Sequence, residues 1–102
     1  MNYDKEILVF KALSDNNRLK IIHMLSCSCG EMCACHILEK FSITQPTLSH
    51  HMKTLIEAKL VNTRKNGSWN YYSINHEKIS QIIMFLNNMN INNINYSCSC
   101  KK

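Results

Sequence analysis

The chain has 102 residues, of which 45% are hydrophobic and 19% charged, and its formal net charge is +5 with a pI near 9.0. These values are typical of one small globular domain, which often completes its limited core by forming a dimer. The basic balance favours a polyanionic partner such as nucleic acid. No stretch approaches the roughly 20 apolar residues of a membrane span, and charges crowd the N-terminal region where a signal peptide would be apolar. We therefore expect a cytoplasmic protein without a membrane partner.

The six cysteines form three pairs with CxC spacing, namely Cys27/Cys29, Cys33/Cys35 and Cys98/Cys100. Thiols stay reduced in the cytosol, where structural disulfides are rare. The pairing therefore indicates soft-metal binding or redox sensing. The alternative for each cysteine is a small, buried hydrophobic residue.

The first two predicted helices are short and amphipathic. Apolar residues recur at helical spacing in the first helix, which either packs them in the core or offers them to a second subunit. These residues are Tyr3, Ile7, Phe10 and Leu13. Ser14 to Asn17 predict a turn with capping residues, and a second helix follows from Arg18 to about Leu25. Its predicted apolar stripe is Leu19, Ile21, Ile22 and Leu25.

A third helix is predicted from about Cys33 to Phe41, and a fourth from about Gln45 to Lys59 with Thr44 as its N-cap. The apolar face of the fourth helix is Leu48, Met52, Leu55 and Ile56. Its outward side is polar and basic, and our candidate DNA contacts there are Gln45, Thr47, Ser49, His50 and Lys53, with His51 at the flank. Two helices joined by a short turn, the second with such an outward face, are typical of a helix-turn-helix. An ordinary solvated helix face is the alternative.

Residues 60–74 predict a β-hairpin, because Asn66-Gly67 is a strong signal for a type I′ turn. A two-residue loop at these positions pairs Arg64 with Trp69 and Val61 with Tyr72. Val61 and Tyr72 then face the core, and Arg64 stacks on Trp69. Arg64 and Lys65 complete our candidate DNA-binding residues, because a basic hairpin after a helix-turn-helix is the wing that contacts phosphates in a winged helix.

The last predicted helix begins after the capping residue Asn75 and runs from His76 to about Met89. Its apolar stripe, which predicts a dimer seam, is Ile79, Ile82, Ile83 and Leu86. Asparagines crowd the following segment and weaken helix propensity. We therefore predict a mainly α, dimeric winged helix-turn-helix domain over residues 1–90 and a flexible tail over residues 91–102.

The chemistry of the cysteine pairs favours a trivalent metalloid over zinc. Two residues in a CxC pair point about 200° apart on an ideal helix, so both thiols reach one ion only where a helix begins or is distorted. Cys33 and Cys35 lie at such a helix start, where the dipole also favours thiolate. Structural zinc sites prefer wider ligand spacing, whereas trivalent arsenic or antimony suits a pyramid of three soft sulfur ligands.

The segments ALSDNNRLKIIHML, GEMCACHILEKF, TQPTLSHHMKTLIEAKLV and TRKNGSWNYYSIN together resemble the ArsR/SmtB family of winged-helix repressors, and most of all its arsenical-resistance operon repressors. The resemblance runs from about Tyr3 to Met89. It implies a homodimer that binds operator DNA when metal-free and releases it when a metalloid binds. It assigns the metalloid to Cys33 and Cys35, and DNA contacts to Gln45, Ser49 and His50.

One departure from the family concerns the third sulfur ligand. Some members have a further cysteine shortly after the CxC pair, where this chain has Ile37 and Leu38. We choose Cys29 as the third ligand, because the loop around Gly30 can fold it back, and the other candidates are Cys27, Cys98 and Cys100. The histidine and carboxylate zinc site of the family's last helix is incomplete here, which argues against a zinc sensor.

We thus predict a repressor that responds to As(III) or Sb(III) and needs no organic cofactor. A thiol redox sensor that also binds DNA is the first alternative, and a cytosolic protein that buffers or transfers metal is the second. An enzyme is not expected, because the sequence has no phosphate loop, no nucleophile-and-base motif and no paired carboxylates.

Overall fold

The computed structural model of the chain describes residues 2–90 and is mainly α-helical with a small antiparallel sheet. The elements are α1 (Asp4–Leu13), α2 (Asn16–Cys27), β1 (Met32–Cys33), α3 (Ala34–Glu39), α4 (Gln45–Glu57), β2 (Val61–Asn66), β3 (Trp69–Ile74) and α5 (His76–Met89). This is the predicted helix-turn-helix followed by a hairpin and a last helix. Within residues 2–90, no helix combines the length and apolarity needed to cross a membrane.

Three of the helices begin at the predicted capping residues. The side chain of Asp15 accepts a hydrogen bond from the Arg18 amide at 3.1 Å, at the start of α2. Thr44 caps α4 and Asn75 caps α5 in the same way, through bonds of 3.3 Å to amides three residues further on. Each bond satisfies a donor that the first turn of a helix leaves free. The helix starts could therefore be placed from sequence more closely than the helix ends.

Helix α4 ends at a residue whose backbone has the left-handed conformation. Lys59 has a φ of 65°, and the amides of Lys59 and Leu60 donate to the carbonyls of Ile56 and Leu55. This is the Schellman arrangement, which ends the helix at Glu57 rather than at the predicted Lys59. Asn75 then joins the turn to α5, because its side-chain amide donates to the Lys59 carbonyl at 2.8 Å and its backbone N–H to the Leu60 carbonyl at 2.9 Å.

The sheet has the order β1-β3-β2, and the short strand β1 was not predicted. Cys33 pairs with Tyr71 and Met32 with Tyr72, so the cysteine segment forms an edge of the sheet. A strand of two residues is too short for an alternating pattern to reveal it. As a consequence α3 begins at Ala34, and Cys33, predicted as part of the helix, precedes it as the N-cap.

The hairpin has a different turn from the predicted one. Asn66 pairs with Trp69, so the two loop residues are Gly67 and Ser68. Gly67 has a φ of 67° and Ser68 has no positive φ, which fits a type II′ turn with glycine first. The predicted pairing of Val61 with Tyr72 is wrong, because Val61 lies opposite Ile74. The shift keeps the same faces inward, so Val61 and Tyr72 are buried as predicted, at 2% and 7% exposure.

The core lies between the helices and the inner face of the sheet, and its most deeply buried large side chains are Val9, Ile21, Ile37, Met52, Leu55 and Leu60. The predicted inward face of α4 is confirmed for Leu48, Met52 and Leu55. On α2 the prediction was wrong for Leu19, which is 52% exposed. Ile21 lies about 200° around the helix from Leu19, so both cannot face one core.

Helices α1 and α5 leave a large apolar surface exposed, which we call the α1/α5 face. It comprises Tyr3, Ile7, Phe10, Ile83, Met84, Leu86 and Met89, each at least 39% exposed. The two helices adjoin there, because the rings of Tyr3 and Phe10 lie 6.1 and 6.3 Å from the ring of Phe85. No residue of α5 is buried. Exposed apolar patches of this extent are typical of protein interaction surfaces.

Candidate functional site

Cys33 and Cys35 come together at the start of α3. Their Sγ atoms are 2.7 Å apart, and the Cys35 amide donates to the Cys33 Sγ at 3.4 Å. Cys33 is 6% exposed and Cys35 is half-buried, and both are free thiols. The two thiols converge because Cys33 has extended backbone as an N-cap, which removes the separation that two residues of one helix would impose.

The two thiols differ in acidity because one donates a hydrogen bond to the other. The Cys35 thiol lowers the pKa of Cys33, and the amides of Cys35 and His36 act in the same direction, while burial opposes them. The same thiol contact raises the pKa of Cys35, and burial and the charge of Cys33 add to that effect. Cys33 is therefore the first thiolate of the pair, and a thiolate is the form that binds a metal or attacks an electrophile.

The predicted third ligand is not gathered with the pair. Cys27 and Cys29 are exposed free thiols, and Cys98 and Cys100 lie outside the described residues. Within residues 2–90 no group of three or more histidine, cysteine, aspartate or glutamate residues could hold a metal ion together. The assignment of Cys29 thus stays a prediction.

A shallow cleft surrounds the pair, and its four other lining residues were not singled out from sequence as neighbours of the cysteines. The cleft is lined by Glu31, Cys33, Cys35, His36, Trp69 and Tyr71. Tyr71 reaches it because β3 pairs with β1, and Trp69 lies on the same face of β3 two residues earlier. We call it the dithiol cleft.

Glu31 and Arg64 bind each other across this part of the molecule. The Arg64 Nε and Nη2 atoms donate to the two carboxylate oxygens of Glu31 at 2.9 and 2.8 Å. The contact lowers the pKa of Glu31 and raises that of Arg64. The guanidinium carbon lies 4.7 Å from the centre of the Tyr71 ring, so the predicted stacking on Trp69 is wrong. Arg64 is opposite Tyr71 because of the shifted register.

The outward face of α4 is open to solvent. Its exposed polar residues are Gln45, Thr47, Ser49, His50 and Lys53, as predicted. The hydroxyl of Thr47 accepts a hydrogen bond from the Thr44 hydroxyl at 3.0 Å, so it is partly satisfied within the chain. No acidic residue occurs on α4 before Glu57. This face therefore combines amide, hydroxyl, imidazole and ammonium groups, all of which can bond base edges or phosphates.

His51, which was placed at the flank of the DNA-facing side, is instead 8% exposed. Its Nδ1 lies 3.1 Å from an Arg18 guanidinium nitrogen and 4.0 Å from the Asp15 carboxylate. Arg18 also donates to the Ala12 carbonyl at 2.7 Å. The prediction failed because helical periodicity cannot show a charged partner 33 residues away. His51 thus links α4 to α2 by its contact with Arg18, and through Arg18 to α1.

A second cleft lies between Cys35 and the exposed face of α4. Cys35 lines it from α3, Gln45 and Ser49 from α4, and Trp69 from the wing. Leu38 and Leu48 form part of its apolar wall. Cys35 and the start of α4 are therefore neighbours across this cleft.

Comparison with known proteins identifies the family and the fold. Residues 15–63 match the model of the family described as "Bacterial regulatory protein, arsR family". The chain is 48% identical to the arsenical resistance operon repressor of Staphylococcus aureus, with 99% of this chain and 93% of that protein covered. The repressor of the same name from Staphylococcus xylosus gives the same identity and the same coverage.

The solved structure of an ArsR-like transcriptional regulator from Rhodococcus sp. RHA1 superposes with a TM-score of 0.74. The match covers 86% of this chain and 81% of that one at 22% sequence identity. At an identity this low, the superposition shows a shared fold and nothing more. It confirms the winged helix-turn-helix that was predicted from sequence.

Proposed function

Because the chain belongs to the arsR family of bacterial regulatory proteins, we propose that it is a transcriptional repressor released from its operator by a trivalent metalloid. In this proposal a homodimer binds operator DNA, and As(III) or Sb(III) binding to cysteine thiolates ends that binding. The observation that carries the proposal is the convergence of Cys33 and Cys35 beside the start of α4, with sulfur atoms 2.7 Å apart. The two relatives at 48% identity are arsenical resistance operon repressors.

The DNA interface in this proposal is the exposed face of α4 together with the wing. The α4 contacts are Gln45, Thr47, Ser49, His50 and Lys53. In the wing, exposed Lys65 contacts phosphate directly, whereas Arg64 must leave or share its bond to Glu31 to do so. Lysine and arginine contacts to phosphate make binding steeply dependent on salt. A dimer formed through the α1/α5 face presents two copies of α4 to two half-sites.

The donor set fits a soft trivalent ion. Two free thiols stand together, one of them with a lowered pKa, and thiolates are the ligands that soft ions prefer. Cys33 and Cys35 supply two sulfur ligands, and we propose Cys29 as the third. Cys27, Cys98 and Cys100 are the other candidates, from the same or the partner subunit.

Release follows if the metalloid and DNA prefer different positions of α3. Cys35 and Ser49 line one cleft, so reshaping the start of α3 alters the packing behind the DNA-facing residues. A coupling of about 1–3 kcal/mol between the two sites lowers DNA affinity roughly 5- to 150-fold. Metalloid binding by itself shifts nothing unless the two conformations bind it differently.

The test is a gel shift with DNA from upstream of the protein's own coding sequence, titrated separately with arsenite, antimonite, cadmium, zinc and peroxide. We expect arsenite and antimonite to release the wild-type protein and the Cys33→Ser variant to stay bound. Lys20→Ala, at an exposed residue outside the dithiol cleft, is the control and should be released like the wild type. Release of Cys33→Ser at the wild-type arsenite concentration would overturn the assignment.

The close approach of the two sulfur atoms also favours a second candidate, the thiol redox sensor. Peroxide can oxidise Cys33 and Cys35 to a disulfide, with both thiol protons and two electrons passing to peroxide to form two waters. In the same gel shift this candidate requires release by peroxide and no response to arsenite.

A further inference from the structure

Glu31 and Arg64 reach each other across the middle strand of the sheet. Tyr71 on β3 lies opposite Cys33 of β1 on one side and opposite Arg64 of β2 on the other. Glu31 comes just before β1, and its carboxylate meets the guanidinium from the far edge of the sheet. A residue outside the hairpin therefore holds the charged end of a wing residue.

The contact uses the part of Arg64 that suits a phosphate. Its Nε and Nη2 atoms donate to the two carboxylate oxygens of Glu31 at 2.9 and 2.8 Å. A guanidinium presents this planar pair of donors to a carboxylate or to a phosphate with the same geometry. Glu31 thus lies where a phosphate of DNA would bind these two donors.

The two cations of the wing differ in what they offer DNA. Lys65 is exposed, and within residues 2–90 no acidic group is within ion-pair distance of it. The ion pair of Arg64 with Glu31 has no net charge, so it displaces no counterion from DNA. DNA affinity and its salt dependence follow the number of phosphates that protein cations neutralise. While Glu31 holds Arg64, the hairpin offers DNA the charge of Lys65 but not that of Arg64.

The ion pair is open to solvent, so a DNA phosphate can compete for Arg64. The side chains of Arg64 and Glu31 are 53% and 37% exposed. Ion pairs with such exposure are weak, because water and salt screen the charges. The guanidinium carbon also lies 4.7 Å from the centre of the Tyr71 ring, a cation–π contact that does not need Glu31. Loss of the carboxylate therefore leaves Arg64 supported by the ring, with both donors free.

We propose that Glu31 is a positioning residue that lowers the affinity of the protein for DNA by holding Arg64 away from the phosphates. Its carboxylate is an internal substitute for phosphate, and Arg64 reaches DNA by exchanging one acceptor for the other. The inference rests on the proposed function, because it takes the wing as part of the DNA interface. It adds an acidic residue to an interface that was assigned from its hydrogen-bonding and basic groups.

The test measures binding to labelled upstream DNA by fluorescence anisotropy over a series of salt concentrations, without metalloid. The proteins are the wild type, Glu31→Gln, Arg64→Gln and the double variant. We expect Glu31→Gln to bind about 2- to 5-fold more tightly, the range that an exposed ion pair allows. Its plot of log K against log salt should steepen by about 0.9 per subunit, because Arg64 then neutralises a further phosphate. In the Arg64→Gln background the same substitution should change neither quantity.

Glu39→Gln is the matched control, because Glu39 is an exposed acidic residue of α3 with no ion-pair partner within residues 2–90. It removes the same charge without freeing a cation, so it should keep the wild-type salt dependence. A structural defect in the wing would weaken binding, which is the opposite of the change expected for Glu31→Gln. Weaker or unchanged binding by Glu31→Gln, or equal tightening with and without Arg64, would overturn the proposal.

The two proposals fail in different ways. If arsenite releases the wild-type protein from upstream DNA but Glu31→Gln binds no more tightly, Glu31 has no such role and the repressor stands. If the wild type does not distinguish upstream DNA from unrelated DNA, the repressor is wrong. The role of Glu31 is then tested on the unrelated DNA, because phosphate contacts do not depend on base sequence.

Discussion

Cys33 and Cys35 show how one backbone position gives two chemically similar side chains different properties. Cys33 is the N-cap and accepts a hydrogen bond from the Cys35 amide, whereas Cys35 is in the first turn of α3 with its thiol against the Cys33 Sγ. The pairing of these residues could be predicted from their spacing and their place at a helix start. The asymmetry could not, because it depends on the extended backbone of Cys33, which lets its sulfur accept from the Cys35 amide.

We predict that Cys33 is alkylated at lower pH than Cys35. The pKa of Cys33 is lowered by the Cys35 thiol and that of Cys35 is raised, so thiolate forms first on Cys33 as pH rises. The measurement is the rate of iodoacetamide labelling at each residue against pH, read by mass spectrometry. In Cys35→Ala the thiol donor is gone, and the Cys33 midpoint should move to higher pH. A midpoint that does not move would contradict this cause.

Arg18 joins three helices through one guanidinium group. Its side chain donates a hydrogen bond to the Ala12 carbonyl near the end of α1 and lies within hydrogen-bond distance of His51 on α4. Its backbone amide donates to Asp15, the N-cap of α2. We predict that Arg18→Ala lowers the free energy of unfolding by about 1–3 kcal/mol, because it leaves part-buried acceptors without their donor. Urea unfolding measures this.

Lys20→Ala is the control for that loss, since Lys20 is an exposed residue of the same helix. Its effect should stay within about 0.5 kcal/mol, as for most surface substitutions. Equal effects of the two substitutions would show that the Arg18 contacts contribute no stability.

At the scale of elements, the predictions were most accurate where a local rule acts. Capping residues and apolar spacing located α4 and α5, and the outward face of α4 followed from its inward one. The strand β1 and the turn of the wing were missed or displaced, because both depend on pairing between distant segments. The candidate site shows the same difference between features set by local sequence and features set by pairing of distant segments. Cys33 and Cys35 were predicted, whereas Tyr71 and Trp69 reach the cysteines only through the sheet.

The turn of the wing gives a test of the observed register. Gly67 has positive φ and open space where a Cβ atom would lie, so Gly67→Ala suffers backbone strain of about 1–2 kcal/mol rather than a clash. Asn66 is a strand residue without positive φ, so Asn66→Ala should cost less than Gly67→Ala. A type I′ turn at Asn66-Gly67 would instead penalise both. Urea unfolding of the two variants distinguishes the registers.

At the scale of the whole molecule, the α1/α5 face is the largest feature that the isolated chain leaves unexplained. Of its side chains, Ile83 and Leu86 belong to the α5 stripe that was predicted as a dimer seam, whereas those of α1 were predicted either to pack in the core or to contact a second subunit. None of the α5 residues is buried within the chain. Two copies joined there bury apolar surface at roughly 25 cal/mol per Å². Side chains of both terminal helices then form one contact surface, because Phe85 of α5 already packs its ring against those of Tyr3 and Phe10.

We predict that Ile83→Glu makes the protein monomeric, because it places a charge on the α1/α5 face, where Ile83 is 53% exposed. Sedimentation velocity gives the oligomeric state of the variant and the wild type. Gln81→Glu adds the same charge to an exposed position about 200° around α5, and it should remain dimeric. A dimeric Ile83→Glu variant would place the seam elsewhere.

The Asn75 contact with Lys59 and Leu60 has a mechanical consequence for the recognition helix. It fixes the C-terminal end of α4 to the start of α5, while Gln45 at the other end adjoins Cys35. If α4 turns with this end as its pivot, the helix is a lever of about 20 Å, from its 13 residues at 1.5 Å each. A rotation of about 5° about that pivot carries the Gln45 end roughly 2 Å, more than half the length of a hydrogen bond to a base. A displacement at Cys35 is thereby passed on at full size to the Gln45 end of α4, where the proposed DNA contacts lie.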